Sequence, residues 1–91
     1  MKNLELIKTC SACPEQYDVL DEHGKYVGYI RFRFGELEVH PIKDNEPDWE
    51  LHLLSRSVND DLLGVIPDGV RKEWLEESKQ AILDYYDCDK W

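Results

Sequence analysis

The sequence predicts an α+β fold: an antiparallel four- to five-stranded meander sheet with one C-terminal helix packed on one face. Three observations predict it. Residues 16–39 (QYDVLDEHGKYVGYIRFRFGELEV) alternate apolar and polar positions and are cut by two glycine turns. Val70, Trp74, Leu75, Ser78, Ala81, Ile82 and Tyr85 recur at helical spacing and make one apolar stripe. The 91 residues include three Trp, five Tyr and two Phe, enough to anchor one core. A chain of that length has no room for a second core, so a single domain over residues 1–91 is expected.

A short edge strand is expected within residues 1–8, with Leu4 and Leu6 inward. The first turn is His23-Gly24, where glycine supplies positive φ. A two-residue loop there pairs Glu22 with Lys25, Leu20 with Val27, Val19 with Gly28 and Tyr17 with Ile30. The second turn is Phe34-Gly35. It sets Arg33 opposite Glu36, Phe32 opposite Leu37, Arg31 opposite Glu38 and Ile30 opposite Val39. Opposite charges then meet on one face and apolar pairs on the other, each pair contributing roughly 0.2–1 kcal/mol. Phe is a poor occupant of positive φ, so a four-residue loop of the same register is the alternative.

Alternation assigns the faces. Tyr17, Val19, Gly28, Ile30, Phe32, Leu37 and Val39 point to the core. Asp18, Leu20, Val27, Tyr29, Arg31, Arg33, Glu36, Glu38 and His40 point away. His40-Pro41 is expected to end the third strand, because proline cannot donate to a ladder. Residues 43–47 read as a polar loop. Trp49, Leu51 and Leu53 read as a fourth strand with Trp49 inward. Residues 55–66 form a connection. Asp68 caps a helix running from about 69 to 87, roughly 28 Å long at 1.5 Å per residue. Gly28, without a side chain, lets that helix approach the sheet.

Eleven basic and 20 acidic residues give a net charge of −9. The second half carries most of it: residues 46–91 hold 5 basic and 12 acidic residues. That charge disfavours direct nucleic-acid binding and an anionic membrane surface, and favours a basic protein partner. No apolar run reaches transmembrane length and no charged-then-apolar leader opens the chain. Three cysteines are an odd number, which argues against a secreted disulfide framework. A cytoplasmic protein is expected.

Cys10-Ser11-Ala12-Cys13-Pro14 has the spacing of a zinc knuckle, where a turn aims two thiolates at one ion. Cys88, His23, His40 and His52 are the residues left to complete four ligands. Unliganded thiols and a redox pair are the other readings, though a redox pair would open a helix rather than precede a hairpin. Unliganded thiols are the preferred reading and no cofactor is expected, with zinc at Cys10 and Cys13 the alternative. Asp44, Glu46, Asp48 and Glu50 alternate, but the glycine and downstream acid of a calcium loop are not in place, so they read as a solvated acidic edge. There is no serine elbow, no phosphate loop and no Cys–His pair placed for nucleophilic attack. A protein without catalytic activity is therefore expected.

Residues 13–39 (CPEQYDVLDEHGKYVGYIRFRFGELEV) resemble small uncharacterised phage and prophage proteins that share a Cys-Pro-x-Gln-Tyr-Asp opening, a hairpin glycine and Val-Gly-Tyr-x-Arg-x-Arg-x-Gly. The resemblance implies a viral or mobile-element setting and, with it, the host cytosol. It carries no catalytic or binding residue. Composition and resemblance together lead to a small acidic inhibitor that blocks a basic, nucleic-acid-handling or defence protein by surface contact or nucleic-acid mimicry. Its contact residues are expected among Tyr29, Arg31, Arg33, Asp44, Glu46, Asp48, Asp84, Tyr86, Asp87 and Trp91. A zinc-stabilised interaction module using Cys10 and Cys13 is the alternative, and a nucleotide binder the third reading. An exposed edge strand would also allow a homodimer.

Overall fold

The computed structural model describes residues 3–9, 15–59 and 64–88, the last without the side chain of Cys88. Among these, six strands and one helix follow in order: β1 (Glu5–Lys8), β2 (Glu15–Leu20), β3 (Tyr26–Arg33), β4 (Glu36–Lys43), β5 (Glu46–Pro47), β6 (Leu54–Ser57) and α1 (Asp68–Cys88). The strands pair antiparallel as β1-β2-β3-β4, with β6 beside the first half of β4 and β5 beside its last two residues. The helix lies on one face, and the fold is α+β. No helix among the described residues is long and apolar enough to cross a membrane.

The β3–β4 hairpin has the register that charge and apolar pairing demand: Arg33 opposite Glu36, Arg31 opposite Glu38, Phe32 opposite Leu37 and Ile30 opposite Val39. Its loop is the two-residue one. Phe34 takes φ 54 and Gly35 φ 75, the left-handed pair of a type I′ turn. The cost of placing Phe there, about 1–2 kcal/mol, is accepted so that the register can hold.

The β2–β3 connection differs from expectation. Val19 pairs with Gly28, but Leu20 pairs with Tyr26, so Val27 is the extra residue of a bulge. The turn is built on Asp21 rather than on His23-Gly24 alone. Asp21 Oδ1 accepts from the backbone N–H groups of His23 at 2.8 Å and Lys25 at 2.9 Å, while Gly24 supplies φ 79. The bulge breaks alternation, and Val27, assigned outward, is buried with the core.

Pro41 does not end β4. The strand continues to Lys43, with Pro41 opposite Gly28. The carbonyls of Val39 and Pro41 point away from β3, to the N–H groups of Leu53 and Asp48. The N–H that proline lacks would lie on that same side, facing Asp48, whose carbonyl accepts from the Leu51 N–H and meets His40 Nδ1 instead. Residues 43–47, expected as a loop, make a second tight hairpin. Asp44 (φ 55) and Asn45 (φ 66) form its tip, residue types that tolerate the left-handed region.

The core is the inward face of the meander: Tyr17, Val19, Ile30, Phe32, Leu37 and Val39 are buried with Ile66 and Ile82. Leu4 and Leu6 of the edge segment pack against it, as do Val70, Trp74 and Leu75 of α1. The Trp74 ring lies 6.2 Å from Phe32. Gly28 meets Ile82 of the helix, the close approach expected of it.

A carboxylate is fixed inside. Glu15 is 1% exposed. It receives both arms of the Arg71 guanidinium at 3.1 Å, the Ile66 N–H at 2.9 Å and the Tyr17 hydroxyl. These bonds tie the start of β2 to the start of α1. Asp68, the first helical residue, is also paired with Arg71. Burial raises the Glu15 carboxyl, but Arg71, Tyr17 and Ile66 together hold it below its ordinary value. Tyr17 is pushed up to about 12 by burial and by Glu15.

Candidate functional site

The outer face of the sheet gathers the side chains that the core does not use. Arg31 and Glu38, opposite each other on β3 and β4, form an ion pair at 2.7 Å. Tyr29 and His40 are the next opposed pair on the same face. Trp49 covers them. Its ring lies 5.5 Å from Tyr29 and 5.0 Å from His40, both edge-on, and the Arg31 guanidinium sits 4.8 Å from its centre. The Nε of Arg31 is buried with no hydrogen-bond partner among the described residues, and the indole face next to the guanidinium takes part of that role.

This position of Trp49 corrects the expectation of an inward-facing fourth strand over Trp49, Leu51 and Leu53. Residues 49–50 are a turn, and the strand that pairs with β4 is β6, at Leu54–Ser57. The turn is closed by Asp48, whose carbonyl accepts from Leu51 N–H at 3.1 Å and whose Oδ1 accepts from Glu50 N–H at 3.3 Å. The indole is carried to the outer face and stays 49% exposed.

His40 lies on the outer face as assigned, but is only 1% exposed. Its Nδ1 lies 3.1 Å from both the Asp48 and the Leu51 carbonyl oxygens. Its Nε2 lies 3.5 Å from Glu38 Oε2. His52 is exposed and places its ring 4.8 Å from that of His40. Burial raises the Glu38 carboxyl, but Arg31 and His40 outweigh it and hold the group below its ordinary value.

The predicted contact residues divide into two sets. Tyr29 and Arg31 lie under Trp49, and Arg33 is exposed at the hairpin end, 5.3 Å from the ring centre of Phe34. Asp44, Glu46 and Asp48 run along the second hairpin into the Trp49 turn, followed by Glu50. Asp84, Tyr86 and Asp87 belong to the helix, which covers the other face. Asp84 is exposed and accepts from Gln80 at 2.8 Å; Asp87 is exposed one turn on. Tyr86 is half-buried. It packs on the core and donates its hydroxyl to the Val27 carbonyl at 2.9 Å. Trp91, Cys10 and Cys13 lie outside the described residues. Sequence reasoning missed the outward setting of Trp49, the burial of His40 and the buried pairing of Glu15. The first two were hidden by treating residues 49–53 as a strand; the run of Asp48, Trp49 and Glu50 after Pro47 was the turn signal available.

Between α1 and the chain start lies a cleft of about 250 Å³ lined by Asn3, Leu4, Glu76, Lys79, Gln80 and Leu83. Its one cation, Lys79, is paired with Glu76 at 3.4 Å. That is a poor cradle for a phosphate group.

The chain matches no family model, no curated protein and no solved structure.

Proposed function

We propose that this chain is a non-enzymatic binding protein that acts by occupying a basic, nucleic-acid-handling protein. The observation that carries this reading is the setting of Trp49. A half-exposed indole, backed by Arg31, Tyr29 and His40, stands in a segment that also holds Asp44, Glu46, Asp48 and Glu50. Aromatic anchors dominate the energy of protein contacts, and a rim of one charge steers the encounter. A net charge of −9 extends the same preference to the rest of the surface. Phe34 adds a second exposed aromatic, 67% exposed at a hairpin tip and held at φ 54. Strain kept at an exposed bulky residue is a mark of a contact point. In the phage-type setting that residues 13–39 resemble, the partner is a host defence or nucleic-acid enzyme whose basic channel the acidic face blocks.

The test is affinity capture from host lysate with the wild-type chain and Trp49→Ala as parallel baits, at low and high salt. The reading expects a basic, nucleic-acid-handling protein held by the wild type at low salt and lost both with salt and with Trp49→Ala. Recovery of no such protein, or equal recovery by the variant, overturns it.

A further inference from the structure

We propose that Glu38, His40 and His52 form a site for one zinc-class divalent ion on the outer face of the sheet, beside Trp49. The inference is independent of any protein partner.

His40 carries the argument. Carbonyl oxygens only accept, so the two that lie 3.1 Å from Nδ1 place the ring proton there. Both carbonyls belong to the Asp48 turn, which is itself pinned by the Asp48 N–H on Pro41 O and the Leu51 N–H on Asp48 O. The tautomer is therefore set by backbone. When the ring is neutral, Nε2 turns a lone pair toward the Glu38 carboxylate, 3.5 Å away. Two acceptors face each other, an arrangement stabilised by a cation shared between them. The separation fits a metal: bonds of about 2.0–2.1 Å at a tetrahedral centre put neighbouring donors about 3.3–3.4 Å apart. Donation of the second ring N–H to a backbone carbonyl is the support that metal-bound histidines generally have.

His52 supplies the third ligand. One donor atom from each of Glu38, His40 and His52 lies within 4.8 Å of the others. His52 is exposed, so a side-chain rotation brings its ring nitrogen closer without moving the strands. Two imidazoles and one carboxylate suit zinc and its neighbours, not calcium or magnesium, which take oxygen ligands. Arg31 is the opposing charge. It holds one side of Glu38 Oε2 at 2.7 Å, orienting the carboxylate while weakening the attraction for a cation. The expected affinity is accordingly micromolar rather than that of a closed structural site. A fourth position remains for water or a partner's ligand.

The test is titration of metal-free full-length chain with zinc by calorimetry, and with cobalt(II) as a spectroscopic probe. The wild type should bind one ion with the cobalt spectrum of nitrogen and oxygen ligands and no thiolate charge-transfer band. His52→Ala, at an exposed position that leaves the fold intact, should weaken binding by about tenfold or more, and His40→Gln should abolish it. Cys10→Ser/Cys13→Ser should leave it unchanged. Absence of micromolar zinc binding, an unaffected His52→Ala, or loss of binding in the cysteine variant overturns the site.

Discussion

Gly28→Ala tests the seating of the helix on the sheet. A Cβ at residue 28 would lie 2.5 Å from Ile82 Cδ1, 3.2 Å from Ile82 Cγ1 and 3.4 Å from Val19 Cβ. Carbon atoms settle at about 3.5–4.0 Å, so the methyl overlaps the Ile82 terminus by about 1 Å. Ile82 and Val19 are both fully buried, so neither can swing into solvent. Overpacking of this kind costs about 1–3 kcal/mol. For a chain of this size that lowers Tm by about 4–8 °C per kcal/mol. Ile82→Val removes the offending Cδ1 and alone costs about 0.5–1.5 kcal/mol. The double variant Gly28→Ala/Ile82→Val should therefore be more stable than the sum of the single losses, by a coupling of about 1 kcal/mol or more. Urea unfolding followed by far-UV circular dichroism measures all four proteins, with equal slopes confirming a common unfolded state. Strict additivity, or a neutral Gly28→Ala, would refute the contact and with it the placement of α1 over β3.

The other predictions concern single groups. Phe34→Asn converts the hairpin tip to Asn-Gly and removes the left-handed strain, so the urea midpoint should rise, by up to about 1 kcal/mol. Glu15→Gln breaks the pair with Arg71. The loss should fall at or below the low end of the roughly 3–5 kcal/mol of a buried pair, because Arg71 stays 29% exposed. The folded pKa of Glu15 lies below its unfolded value near 4.5, so its stabilisation is full above that pH and is lost as pH falls through the folded value. The stability gap between wild type and Glu15→Gln, measured by unfolding across pH 7 to 3, should accordingly narrow on the acid side of about 4.5.

The meander was legible because its two kinds of information agree. In β3 and β4 the glycine turn and the cross-strand pairs of Arg31 with Glu38 and Phe32 with Leu37 specify one register, and no tertiary contact overrides it. The helix was legible for the same reason: its period is local. The bulge at Val27 was not, because a one-residue insertion leaves alternation intact on either side and shows only where Asp21 captures two backbone N–H groups. Pro41 misled because a strand can pass through proline where the carbonyl facing it is bonded elsewhere, as that of Asp48 is to the Leu51 N–H, and such partners are not visible in a single chain of letters. Trp49, Leu51 and Leu53 misled most. Their alternation has the period of a strand, yet the backbone N–H groups of Glu50 and Leu51 are spent on the Asp48 turn. The candidate site follows from that turn, which carries the indole onto Arg31 and Tyr29 and aims two carbonyls at His40. Of the contact residues read from sequence, the acids of the second hairpin lie beside it, while Tyr86 is spent on the Val27 carbonyl.

The side of the sheet on which Trp49 lies is the claim that both functional readings share. Proton–proton Overhauser contacts from the Trp49 indole in the isotope-labelled chain measure it directly. Cross-peaks to the rings of Tyr29 and His40, with none to Ile30 or Phe32, are the expected result. Cross-peaks from that indole to Ile30 or Phe32 would put it in the core and leave the outer face without its anchor.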